Sequence, residues 1–173
     1  SGAIIILFFA WTINNVVSDV KTGAYLASLV SDTLPLALLP ALLFILASVM
    51  AFSTGTSWGT FGIMIPIIMP IAVGLTENAG LAQSTALNAV FICISAVLGG
   101  AVFGDHASPI SDTTILSSTG AACPHLEHVA TQMPYALFVA GCSLAGFIVG
   151  GIFMNILSAW IAVLVVFIGG IIL

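Results

Sequence analysis

The chain has 173 residues, 61% of them hydrophobic and only 4% charged, with Lys21 as its one lysine, no arginine and a formal net charge of -5. A soluble domain carries about a quarter charged residues, so this composition excludes a water-soluble globule and requires lipid around it. Without a basic patch to neutralise phosphates, nucleic-acid binding is excluded as well.

A membrane-spanning helix takes roughly 20 mostly apolar residues, and backbone in lipid must bond within its own segment. Six stretches qualify, at about 3–18, 34–52, 59–76, 84–103, 133–155 and 157–173. The expected fold is therefore an all-α polytopic membrane protein, one transmembrane domain over 1–173. Both ends lie in apolar sequence, at Ser1-Gly2-Ala3-Ile4 and Ile171-Ile172-Leu173, which reads as one part of a longer protein. After the first stretch, Asp19 and Lys21 read as an interfacial cap. Lys21 places the 19–33 loop on the cytoplasmic side. Asn14 and Asn15 lie deeper and are candidates to face a pathway.

The second and third stretches are separated only by Ser53-Thr54-Gly55-Thr56-Ser57-Trp58. That join is too short and too uncharged for an ordinary external loop. Pro35 and Pro40 at one end, and Pro66 and Pro70 in the second arm, are expected to shorten or bend the helices. A re-entrant hairpin with a small hydroxylated tip buried in protein satisfies this; two complete spans with a tight turn satisfy it too.

The fourth stretch ends in Phe103-Gly104-Asp105-His106-Ala107-Ser108-Pro109-Ile110-Ser111-Asp112-Thr113-Thr114, where two of the four aspartates sit seven positions apart. Helix is expected to reach Val102-Phe103, break across 104–109 and resume near Ser111. Discontinuous helices of this kind build ion sites in transporters. The plain alternative is a helix end in an aqueous loop, with Asp112 as N-cap. Ionisable residues at membrane depth are costly and point to a substrate or ion path.

Further along, Cys123-Pro124-His125-Leu126-Glu127-His128 reads as an interfacial loop. Together with His106, its histidines, Glu127 and Cys123 raise the rival of a transition-metal site in a membrane enzyme, although the spacing His-Glu-x-x-His is absent. Gly146 and Gly150 form a Gly-x-x-x-Gly that permits close helix packing. Cys93 and Cys142 lie in apolar runs and behave as small hydrophobes. No disulfide framework is expected.

The chemistry expected of the polar residues follows from their donor atoms. Asp105, Ser108, Ser111, Asp112, Thr113 and Thr114 supply two carboxylates and four hydroxyls within ten positions, and Ser53, Thr54, Thr56, Ser57 and Thr60 add five hydroxyls. Hard cations select oxygen ligands. Burial disfavours the charged form of a carboxylate, so one aspartate at depth holds either a proton or a cation. The candidate ion ligands are Asp105 and Asp112, with Ser53, Thr54, Thr56, Ser108 and Thr113 as neutral donors and His106 assisting proton transfer. No catalytic residue, resident metal or cofactor is expected.

At Ala51–Met64, at Gly104–Thr114 and at His128–Leu137 the sequence resembles the NhaC family of sodium/proton antiporters. The resemblance implies secondary active transport in a multi-pass cell-membrane protein. The transported species would be Na+ and H+, with some relatives exchanging malate and lactate. It implies kinship with a superfamily in which inverted repeats each contribute a hydroxyl-rich re-entrant hairpin and an unwound helix. Ser53 to Ser57 would be the tip and Gly104 to Asp112 the unwound segment. Members of the family are more than twice as long. The chain thus resembles a carboxy-terminal half, and its expected partners are the lipid bilayer and either an amino-terminal half or a second copy.

Overall fold

A computed structural model describes residues 35–172 together with Thr12. The expected span at 3–18, Asn14, Asn15, the Asp19–Lys21 pair and the 19–33 loop lie outside the described residues. Within them the chain is helical: a 3-10 turn at Leu36–Leu38 leads into α1 (Leu39–Thr54), followed by α2 (Ser57–Asn78), α3 (Gln83–Ala107), α4 (Asp112–Gly120), α5 (His125–Phe153) and α6 (Ile156–Ile172). No strand occurs among the described residues. Among the described residues, four helices are long and apolar enough to cross a membrane: Leu36–Thr54, Ser57–Asn78, Gln83–Ala107 and His125–Phe153.

Several boundaries differ from expectation. Pro66 and Pro70 neither end nor shorten α2, which runs through both for 22 residues. The helix ahead of the break does not stop at Phe103. It continues to Ala107, carrying Asp105 and His106 in its last turn, and only 108–111 is irregular. Pro109 explains the stop, because it lacks a backbone donor and clashes with a preceding helical turn. The N-cap of α4 is Ser111, whose hydroxyl accepts from the Thr113 amide, and Asp112 is the first helical residue. His125 to His128 are not loop but the opening turn of α5.

The centre of the molecule is α3, packed on α1, α2 and α5. Alignment of α1 and α3 follows from small residues. A Cβ on Gly100 would collide with the Phe44 carbonyl, and one on Gly104 with the Ser48 carbonyl. One turn further on, Ser108 donates to the Phe52 carbonyl at 2.7 Å. Each pair is 56 positions apart, so α1 and α3 run parallel in fixed register. Without a hydrophobic drive between helices in lipid, such close backbone approach is what holds them. Ala47, Ala51, Cys93, Ala96, Val97 and Ala101 fill this seam and are fully buried.

α5 runs back along α3, and α6 along α5. Gly146 and Gly150 face Val163 and Ala159 of α6, so the Gly-x-x-x-Gly packs two helices of the same chain. Leu46, Val49, Phe91, Val102, Leu157, Leu164 and Val165 point outward and are exposed. A continuous apolar exterior of this kind is suited to lipid.

Candidate functional site

The tip between α1 and α2 is two residues long. Gly55 closes α1 in the left-handed conformation, at φ +67°, and its amide donates to the Ala51 carbonyl at 2.8 Å. Thr56 is extended and caps α2, accepting from the Gly59 amide at 3.3 Å. Glycine is required at 55 twice over. Its φ disfavours any side chain, and a Cβ there would lie 2.9 Å from the Ile110 carbonyl oxygen and 3.1 Å from the Ser111 nitrogen. The tip therefore lies directly on the break that follows α3.

That contact assembles a buried carboxylate. Asp105, 7% exposed, accepts from Ser57 Oγ at 3.0 Å through Oδ2 and pairs with Ser111 Oγ at 2.5 Å through Oδ1. Ser111 Oγ lies 2.7 Å from Thr113 Oγ1 and accepts from the Thr113 amide at 3.2 Å. Ser111 is fully buried and Thr113 is exposed, so this row of oxygens runs from the interior outward. Two hydroxyls thus answer the two oxygens of this buried carboxyl group, one from each irregular segment.

The break is tied down on every side. Ser108 is fully buried between the Phe52 carbonyl and the Ile110 amide. The His106 carbonyl, freed at the end of α3, accepts from Thr114 Oγ1 at 3.2 Å and from the Gln132 side-chain amide of α5. His125 Nε2 lies 2.6 Å from the Pro109 carbonyl oxygen.

Of the residues singled out from sequence, Asp105 and Thr113 are linked through Ser111 and Thr56 sits at the adjacent tip, whereas the Ser108 hydroxyl is taken up by the Phe52 carbonyl and the Ile110 amide. Ser53 and Thr54 do not join the cluster in this arrangement. Their hydroxyls turn back on the Val49 and Met50 carbonyls, at 2.7 and 2.9 Å, as hydroxyls in helices commonly do. Asp112 and the His106 side chain are exposed. Asp112 lies at the amide end of α4, where the helix dipole favours a carboxylate. The histidines do not converge: His125 is engaged by Ser118 and Pro109, and no cluster of three or more His, Cys, Asp and Glu forms among the described residues.

Sequence reasoning passed over the two groups that touch Asp105. Ser57 and Ser111 stood in the hydroxyl-rich stretches without being chosen as ligands. Ser111 carried a usable signal, since it directly precedes a helix start and is an N-cap type. Gly100-x-x-x-Gly104, which seats α1 against α3, was legible as well and was overlooked in favour of Gly146 and Gly150.

Comparison with known proteins gives a consistent picture. The sequence profile described as the Na+/H+ antiporter family matches residues 1–152. An uncharacterised protein of Haemophilus influenzae is 58% identical over 151 residues, 87% of this chain and 27% of its own length. From the same organism, an uncharacterised Na(+)/H(+) antiporter is 39% identical over 85 residues, 49% of this chain and 16% of its own. The malate-2H(+)/Na(+)-lactate antiporter of Bacillus subtilis is 35% identical over 112 residues, 62% of this chain and 22% of its own. The chain thus spans about a quarter or less of the length of these relatives. No solved structure matches it.

Proposed function

The chain belongs to the Na+/H+ antiporter family, and we propose that it forms part of a cell-membrane transporter exchanging sodium ions for protons at Asp105. The observation that carries this reading is the buried carboxylate held by hydroxyls from the hairpin tip and from the break. A transporter rather than an enzyme is the natural use of such a site, and the tip is read as re-entrant, meeting the break within the membrane.

Proton and sodium compete for one group. An ionised Asp105 accepts from Ser57 and Ser111, leaving the lone pairs of Ser57 Oγ for a cation. Ser111 Oγ then donates to Asp105 and accepts twice from Thr113, which exhausts its capacity. It therefore organises the site rather than ligating. Thr113 Oγ1, Thr56 and the Asp112 carboxylate supply oxygen from the exposed side, and Ser53 and Thr54 do so after turning away from their helix carbonyls.

Proton loading reverses the direction of the hydroxyl row. With Asp105 ionised, Thr113 donates to Ser111 and Ser111 to Asp105. Once Asp105 is protonated, it donates to Ser111 and Ser111 to Thr113. The same oxygens serve both states, and a proton passes between the interior and the exposed end at Thr113. His106, exposed and beside Asp105 in sequence, would take up or deliver protons.

A sodium jump on proteoliposomes holding the complete protein and a trapped pH indicator tests the reading. Saturable sodium-dependent proton flux supports it; absence of flux in folded protein sinks it. A second reading, in which an organic anion moves with the same ions, is supported by likeness to the Bacillus subtilis antiporter. With no arginine in the chain, such an anion would be held by hydroxyls and by the amide ends of α2 and α4. Proton flux driven by malate or lactate separates the two.

A further inference from the structure

Gln132 lies in the His128–Leu137 run of α5, which contributes no residue to the exchange site. Its side-chain amide donates to the carbonyl oxygen of His106, in the last turn of α3. Thr114 Oγ1, on α4, donates to the same oxygen at 3.2 Å. A carbonyl only accepts and has two lone pairs, so the direction of both bonds is fixed and the oxygen is fully engaged. The last four carbonyls of a helix have no partner within it. At the end of α3 the Asp105 carbonyl is met by the Ser108 amide at 3.2 Å, and the His106 carbonyl by side chains of two other helices.

We propose that Gln132 is a positioning residue for the exchange site, joining α5 to the end of α3 so that Asp105 stays aimed at Ser57 and Ser111. The proposal rests on the site reading above. Asp105 directly precedes His106 and shares its helical turn, so fraying of that turn would carry the carboxylate away from both hydroxyls. Thr114 closes the turn locally, across eight positions, and it follows Ser111 by only three. Its bond moves with the break. Gln132 is 26 positions from His106, on the helix that packs against both α3 and α6. Of the two donors, it is the one that anchors the turn to the bundle. Either donor alone keeps the carbonyl paired, and losing both leaves it without a protein partner. Groups that share one acceptor in this way are coupled, so their removals do not add.

The test uses the reconstituted complete protein carrying Gln132→Met, Thr114→Val, or both. Methionine keeps the unbranched side chain and its helical preference but lacks the donor. Half-saturating sodium for proton flux, maximal flux and amide hydrogen exchange across residues 104–108 are read on the same samples. Each single variant should raise half-saturating sodium about threefold with maximal flux retained. The combination should raise it roughly thirtyfold, beyond the roughly ninefold product of the singles. Protection across 104–108 should then fall about tenfold while the rest of α3 stays protected.

A contact that serves only folding would lower maximal flux, through loss of folded protein, and leave half-saturation where it was. That result would overturn the proposal. So would a combined effect no larger than the product, or unchanged protection across 104–108 in the combined variant. Amide exchange is read without transport, so a wild type lacking sodium flux would sink the exchanger reading and still leave the closure of α3 decided.

Discussion

Ser57 and Asp105 are 48 positions apart and meet at 3.0 Å, the first turn of α2 against the last turn of α3. The contact exists because Gly55 lets the tip rest on the backbone of Ile110 and Ser111. It places one carboxylate where two separate irregular segments converge.

Gly55→Ala should therefore abolish sodium-dependent proton flux while the helices persist. The added methyl meets the Ile110 carbonyl and also strains a left-handed residue, which together cost about 1–3 kcal/mol. Circular dichroism should show near-native helix, and the flux assay should show a loss of at least about tenfold. Normal flux would mean that the tip and the break need not touch.

Removing the Ser111 hydroxyl takes away both the α4 cap and an Asp105 donor. Ser111→Ala should cost about 1 kcal/mol in stability from the cap alone, and should weaken proton-coupled transport more than sodium binding. Ser111→Thr, which keeps an oxygen, should recover part of the flux. Comparing sodium-binding calorimetry with flux checks this split; equal losses in both would speak for a purely structural role.

Competition for a single carboxylate fixes the sign of the pH dependence. If proton and sodium compete for Asp105 as proposed, the half-saturating sodium concentration should rise as pH falls, by up to about tenfold per unit where the proton dominates. Flux measured against sodium at several pH values tests this. Half-saturation independent of pH would mean that proton and sodium use different groups.

Asp112→Asn should abolish sodium-dependent proton exchange if this exposed carboxylate completes the ion's oxygen shell. A mere helix-end role would cost only about 0.3–1 kcal/mol of stability and leave flux intact. The flux assay and a thermal melt on the same variant separate the two.

The hydrophobic segments were legible because lipid imposes length and internal hydrogen bonding, and both can be read from runs such as 84–103. The two irregular joins were legible from the short, uncharged run Ser53–Trp58 and from Pro109, which cannot continue a helix. Side-chain direction was not. Ser53, Thr54 and Ser57 look alike in sequence, yet the first two precede the turn and bond their own helix, whereas Ser57 follows it and points at Asp105. The end of α3 was placed too early, ahead of Gly104. In the structure it is a packing position against Ser48, and the helix stops only ahead of Pro109.

The most direct measurement is sodium-driven proton flux in proteoliposomes of the complete protein, wild type beside Asp105→Asn, with folding of both verified by circular dichroism. The account predicts saturable flux in the wild type and none in the variant. Undiminished flux in Asp105→Asn would contradict it and move the exchange site elsewhere.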